Sequence, residues 1–572
     1  MAEYKTDLED IFFNLIDAYS VQKNKSGLDE ASIREIISEF DRFIGKEIYP
    51  SRMLGDTQGL KYDDGEVTVP DAFLNAKEQY YANGWFGLGC DESLGGMPAP
   101  QSVTAACASI VIGANVAFSM YPGLSKGAFN VIEAFGSEKQ KARFLEHFIS
   151  GKFGGTMCLT EANAGSDVGN GSTTATPAQN GLYSIKGVKI FISSGENNLY
   201  ENNVHLVLAR TPGAPKGVKG LSLFIVPKFL VDENGESGAF NNIKCTKIEE
   251  KMGIHGSATS ELTFGHGGEC LGELIGKEND GMRAMFLMMN EARLHCGIQG
   301  QAQAALAYEL SKQYAKERVQ FGKEIIHHPD VKRTLLYMRA CTRGMRALSL
   351  YTANLLDLEH EDKSLSKEVA LLTPICKAYM SDEGFNITVD AMQIHGGYGY
   401  CQEYGIEQFV RDSKIASIYE GTNGIQAIDF IMRKILGDKG EQFMALGQKI
   451  SATMKNVEAQ EYAHELAMMG KSMEMSEKIL NKFAILATKG DIDTVLTFAT
   501  AFLRYCGNIA IAWQLLAHAC KAKQLMAEST SNDFYQEKIC DFKIFCQFKL
   551  TENIGIANSI LNFDEGLMSY NL

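Results

Sequence analysis

Glu420 stands in the run Ile418-Tyr-Glu-Gly-Thr-Asn-Gly-Ile-Gln426, a lone carboxylate just ahead of the flexible Gly421-Thr-Asn-Gly424. A glutamate beside glycine is usually a solvated turn residue. In a pocket that excludes water, the same group becomes a general base with a raised pKa. Three other stretches carry residues that could handle phosphate. Leu159-Thr-Glu-Ala-Asn-Ala-Gly-Ser-Asp167 ends in small residues that let backbone N–H groups approach a pyrophosphate. Glu317-Arg-Val-Gln-Phe-Gly322 contains Arg318, whose planar fork of donors suits a diphosphate. Gln393-Ile-His-Gly-Gly-Tyr-Gly-Tyr400 offers bare glycine backbone. Taken one at a time these read equally well as a turn, a helix-end arginine and a loop, because glycine-rich stretches are weak evidence.

Residues 1–155 are expected to be helical, with Leu8, Ile11, Phe12, Leu15 and Ile16 at helix spacing, and Ile33, Ile36, Ile37, Phe40 and Phe43 likewise. Helices are expected over Gln101–Met120, Ser125–Phe135 and Glu138–Ile149, the apolar run Ala105–Met120 being buried on all sides. Residues 156–275 change texture. Short β-rich runs at Tyr183–Ser194, Val204–Thr211, Leu221–Lys228, Ile243–Lys247 and Thr259–Phe264 alternate with turn signals such as Asn180-Gly181 and Asn234-Gly235. This predicts a small β-domain, a barrel or a sandwich. Long helical segments return over 276–440, and 441–572 adds a further helical unit with breaks near Met469–Lys471, Lys489–Asp491 and Ser529–Asn532. The fold class is mainly α with a central β-domain.

The composition excludes several functions. A net charge of −15 gives no electrostatic case for nucleic acid or an anionic membrane. The 441–572 segment, with 12 Lys/Arg against 15 Asp/Glu, does not supply a basic domain. No apolar run is long enough to span a bilayer. Thirteen cysteines without a metal-ligand spacing read as buried free thiols in a reducing compartment, and paired His327 and His328 ahead of Pro329 read as a loop. MAEYKTDLED has no signal or transit pattern, so a cytoplasmic location is expected.

In this order, the four signatures resemble the acyl-CoA dehydrogenase family over about residues 30–440. The fourth unit, with an N-terminus of the form Tyr4-Lys-x-x-Leu8-x-Asp-Ile11, is similar to a longer branch that includes the 3-methylmercaptopropionyl-CoA dehydrogenases. The resemblance implies the family fold (helical domain, β-barrel, four-helix bundle) plus a C-terminal helical domain, and α,β-dehydrogenation of an acyl-CoA thioester. No side chain accepts hydride, so FAD is implied as the acceptor. Glu420 would be the α-proton base, with its own N–H donating to the thioester carbonyl.

By the same resemblance, Met157, Leu159, Thr160, Gly165 and Ser166 would contact the flavin and its pyrophosphate, Ser166 also facing the CoA. Phe191 and Ser193 of Lys189-Ile-Phe-Ile-Ser-Ser-Gly195 would cover the flavin where the usual pattern has Trp and Thr. Thr422 would join them. Arg318, Phe321, Gln393, Gly396 and Gly397 would reach the cofactor of a neighbouring subunit, which implies at least a homodimer. Asn290, Arg293, Tyr419 and Gly421 would line the substrate, Asn290 standing where many members carry Asp. Some members place the base on the helix of Asn290–Arg293, just before the arginine. Here that residue is Ala292, and Glu291 lies about 100° round the helix. His255, where Arg is frequent, reads as structural. The implied electron acceptor is an electron-transfer flavoprotein. The alternatives are an oxidase of the same fold using oxygen, and a non-catalytic or DNA-associated flavoprotein of that fold.

Overall fold

The computed structural model describes residues 4–24, 27–457, 461–527 and 533–570. The chain forms two compact units. One comprises residues 39–99 and 110–292, the other residues 4–38, 100–109 and 293–570.

In the first unit an eight-stranded sheet packs on helices. Phe153–Cys158 pairs in parallel with Asn202–Ala209, which is followed across the sheet by Ser222–Pro227, Leu271–Ile275, Tyr183–Ser193, Thr259–Phe264 and Ile243–Ile248. Thr174–Pro177 adds to Tyr183–Ser193 through the Asn180-Gly181 turn, both residues at positive φ. The five expected strands are present within a residue or two. Phe153–Cys158 and Leu271–Ile275 lie outside those β-rich runs, only Met157 onward being implied by resemblance: Gly154 and Gly155 in the first and Gly272 in the second weaken the β signal, and neither shows clean alternation. Phe129, Ile132, Phe148, Leu206, Ile225 and Met288 belong to one buried core that helices and sheet share.

Two helical expectations are corrected here. The apolar run breaks at Asn115, whose side chain accepts from the Phe118 N–H at 3.0 Å and starts the Val116–Phe135 helix. Residues 61–68 form a hairpin of Lys61–Asp63 and Glu66–Thr68, turned by Asp64 and Gly65 at positive φ.

The second unit is helical, built on the long Pro329–Glu359 and Leu365–Ile394 helices and the 293–317 part of Gly281–Glu317. Glycines let the last two approach closely: a Cβ on Gly384 would lie 2.2 Å from the Gly300 carbonyl oxygen, and one on Gly300 2.2 Å from that of Met380. The Ala463–Thr488 helix runs straight through the break expected at Met469–Lys471. Its buried face (Met469, Ser472, Ser476, Ile479, Phe483, Leu486) outweighs the roughly 1 kcal/mol cost of Gly470 in a helix. The break expected at Ser529–Asn532 lies outside the described residues.

The amino-terminal segment is fastened inside this unit by buried charge. Asp10 accepts from Lys538 and Arg346, Asp7 from Arg343 at 2.9 Å, and Asp541 from Arg339 at 2.7 Å and Arg343 at 3.1 Å. Lys538, Asp10 and Asp541 are fully buried.

Candidate active site

Glu420 sits at φ +56° and Gly421 at φ +79°. Two consecutive left-handed residues, the first with a side chain, are costly and persist only where the surroundings impose them. The surroundings are explicit. Gln426 donates to the Glu420 carbonyl at 3.1 Å, and Lys377 to the Gly421 carbonyl at 2.8 Å. Thr422 caps the Asn423–Asp429 helix, its hydroxyl accepting from the Ile425 N–H. Both carbonyls of the left-handed pair are therefore occupied, while no hydrogen bond among the described residues takes the Glu420 N–H.

Glu420 keeps a partly open face. Protein nonetheless surrounds its carboxyl closely enough that desolvation raises the pKa, against the smaller opposing pull of Arg293 and Lys377. Tyr419 turns its hydroxyl onto Gln299 Oε1, and burial pushes its phenol up. Cys296 is pushed up to about 12, by burial first and then by the charge of Glu420, which leaves an inert thiol. Arg293 is one of the two cations acting on Glu420. The side chain of Asn290 lies outside the described residues. Glu291 accepts from Asn130 Nδ2 at 2.9 Å. His255 bridges the Lys251 carbonyl and Asp56, in keeping with a structural role.

In the sheet unit, Met157 lies in the strand Phe153–Cys158, and Leu159 and Thr160 follow it. Glu161, which sequence reading left without a role, anchors the loop. It accepts from the N–H and hydroxyl groups of both Ser172 and Thr173 and from Lys189. Gly165 and Ser166 are exposed, and a Cβ on Gly165 would meet nothing. Phe191 is held at φ +57° with 60% of its surface open, next to the half-buried Ser193. A large aromatic residue kept in solvent in a left-handed conformation is a costly arrangement that makes sense as a platform for a flat ring.

The structure also brings the third and fourth signatures together in the helical unit. Tyr314 stacks on His395 and Arg318 lies over the Tyr398 ring at 5.5 Å. Around them Phe321 is 96% exposed at φ +53°, Gln393, Gly396 and Gly397 are exposed, and no atom would touch a Cβ on either glycine. A half-buried arginine near bare glycine backbone fits a dinucleotide diphosphate, and the open loop and platform of the sheet unit fit the flavin ring. Sequence reasoning missed Lys377, Gln299, Gln426 and the Glu161–Lys189 pair. Lys377 had one discoverable sign: it is the only charged residue of the apolar run 369–380.

Family models match the chain in four consecutive stretches: acyl-CoA dehydrogenase N-terminal domain over 31–152, middle domain over 156–266, C-terminal domain over 279–436, and an acetyl-CoA dehydrogenase C-terminal-like domain over 446–571. The 3-methylmercaptopropionyl-CoA dehydrogenase of Ruegeria pomeroyi is 39% identical over 95% of this chain and 94% of its own length. The broad-specificity linear acyl-CoA dehydrogenase FadE5 of Mycobacterium tuberculosis is 34% identical over 99% of both. An acyl-CoA dehydrogenase of Bacillus anthracis, solved with FAD, shares the fold with a TM-score of 0.78 at 22% identity, over 98% of this chain and 92% of that one. With its left-handed glutamate turn, its open aromatic platform and these relatives, the chain belongs to the acyl-CoA dehydrogenase family of FAD-dependent oxidoreductases.

Proposed function

We propose that the protein dehydrogenates an acyl-CoA thioester to the trans-2-enoyl-CoA, with Glu420 as the base that takes the α-proton. The observation that carries this reading is the Glu420 turn: a desolvated carboxylate whose neighbouring carbonyls are tied down and whose own N–H has no protein partner among the described residues. Glu420 accepts the α-proton and becomes the neutral acid, and its raised pKa makes it a better base near neutrality. The Glu420 N–H donates to the thioester carbonyl, where negative charge develops. FAD, when bound, supplies the hydride acceptor at N5 for the β-hydrogen.

Met157, Leu159, Thr160, Gly165, Ser166, Phe191, Ser193 and Thr422 would hold the flavin. Ser166, Asn290, Arg293, Tyr419 and Gly421 would hold the thioester. Arg318, Phe321, Gln393, Gly396 and Gly397 would serve the cofactor of a second copy in a homodimer or larger assembly. Electrons then pass to an electron-transfer flavoprotein. All thirteen cysteines are free, which suits the cytoplasm. No helix among the described residues is long and apolar enough to cross a membrane.

Glu420→Gln tests the assignment. The variant should bind flavin, remain yellow, and lose substrate-dependent bleaching by about 10³-fold. Retained turnover refutes Glu420 as base. Anaerobic reduction followed by air separates acceptors, since fast reoxidation with peroxide release would identify an oxidase.

A further inference from the structure

Lys377 is fully buried in the middle of the Leu365–Ile394 helix. Its ammonium donates to the Gly421 carbonyl and to Asn423 Oδ1, both at 2.8 Å. Asn423 is itself fixed, its amide nitrogen donating to the Ala378 carbonyl at 3.1 Å and to Ser381 Oγ at 3.0 Å. No carboxylate pairs with Lys377 among the described residues at ion-pair distance. A buried cation that has only neutral partners is expensive to keep, and burial lowers the Lys377 ammonium below its ordinary range, against the smaller support of the acidic groups Cys296, Asp382 and Glu420. A neutral donor at this position would tie the turn to the helix without that cost, so the charge itself calls for an explanation.

The charge has an acidic neighbour to act on. The titratable and charged groups around Glu420 are Arg293 and Cys296 on the Gly281–Glu317 helix, Lys377 on Leu365–Ile394, and Tyr419 beside it, with Asp382 acting on Lys377 from its own helix. Cys296 and Tyr419 are held neutral by burial.

Resting on the reading of Glu420 as base, we propose that Lys377 is its positioning residue: Lys377 clamps the Gly421 carbonyl to hold the left-handed turn, and its buried charge keeps Glu420 ionised between turnovers. The two roles separate by substitution. Lys377→Met removes donor and charge, while Lys377→Gln removes the charge and leaves an amide that can donate.

The test is kcat, KM and the pH dependence of kcat/KM for the flavin-loaded enzyme and both variants, together with the flavin affinity of each apoprotein. Without the cation the Glu420 carboxylate is harder to form, so the acid limb should move up by about one pH unit in both variants. kcat should fall at least about tenfold in Lys377→Met and less in Lys377→Gln, with KM within about twofold, as expected for an interaction that matters in the transition state. Flavin affinity should be unchanged. An acid limb that stays put in both variants overturns the proposal. If Lys377→Met binds no flavin, Lys377→Gln alone decides by the same limb. Should Glu420→Gln keep its turnover, the base assignment itself is wrong; should it be dead while the Lys377 variants keep the parent pH profile, only the role given to Lys377 fails.

Discussion

The Lys189 ammonium sits between the Glu161 carboxylate, at 2.8 Å, and the Leu159 carbonyl, at 3.0 Å. Ile190 N–H takes the Thr160 carbonyl at 2.9 Å. The trans peptide between Leu159 and Thr160 is planar, so fixing its carbonyl toward Lys189 turns the Thr160 N–H the opposite way. No hydrogen bond among the described residues takes that N–H. The pair is therefore the internal brace of the loop proposed to hold the flavin.

Breaking the brace should cost both stability and cofactor. Burial pushes Glu161 up, but the Lys189 charge and the hydrogen bonds from Lys189, Ser172 and Thr173 outweigh it and bring the carboxyl down to about 2. Burial also lowers Lys189. The direction for Glu161 governs the pair, because a carboxylate with this many donors is the better satisfied form. A depressed carboxylate contributes stability above its unfolded value near 4.5, and that contribution is lost as pH falls toward 2. Lys189→Met strands a buried carboxylate and should destabilise by about 3–5 kcal/mol in urea denaturation. It should also weaken FAD binding to the apoprotein. Glu161→Gln, which keeps part of the hydrogen bonding, should cost less.

Glu420 predicts a pH profile. Its carboxyl is raised above 4.5 by desolvation, and only the ionised form can accept a proton. Activity should therefore fall as pH drops through that raised value, so the acid limb of kcat/KM lies above the ordinary carboxylate range. The stability effect has the opposite sign. A raised carboxylate binds its proton more tightly in the folded state, so protonating Glu420 stabilises the fold. Inactivation at the acid limb should be fully reversible and without unfolding, as checked by circular dichroism at each pH. A limb within the ordinary range, near 4.5, contradicts this.

The approach of the Gly281–Glu317 helix to Leu365–Ile394 depends on Gly300 and Gly384. In Gly384→Ala the new methyl meets the Gly300 carbonyl oxygen, a backbone atom that cannot swing aside. The helices must part, at a cost of about 1–3 kcal/mol by thermal denaturation. Because Lys377 and Gln299 lie on these two helices, kcat should fall as well. Gly555→Ala, at a glycine of the Glu552–Leu561 helix with open space around it, is the control: it should leave kcat unchanged and raise stability by up to about 1 kcal/mol.

Asp10 is held well below the usual carboxylate range by Lys538, Arg346 and Arg343, which together outweigh its burial. Asp10→Ala leaves buried cations uncompensated and should destabilise by about 3–5 kcal/mol. A double-mutant cycle with Lys538→Met should show strong coupling, with the pair of substitutions costing less than the sum of the singles. Additive losses would show that the two charges do not work as one unit.

Much of this protein was already present in the order of its residues. The alternation in 183–264 and the helical periodicity elsewhere gave the class, since those periods report which face of each element is buried. Glycine-rich signatures, weak one at a time, singled out Glu420, Arg318 and Gln393–Gly397 only through their resemblance, taken together and in this order, to the acyl-CoA dehydrogenase family. Asn115 as a cap and the hairpin at 61–68 were missed where one side chain or one turn overrode the pattern around it. What the linear sequence could not supply is anything that depends on residues distant in the chain meeting in space. Lys377 reaches Gly421 across 44 positions, Lys189 reaches Glu161 across 28, and Asp10 finds Lys538 across 528. A lone lysine or aspartate carries no mark of its partner in its neighbours. Only folding, which removes water from these charges and makes their pairing decisive, turned them into the supports of the glutamate turn, the Glu161 loop and the amino-terminal segment.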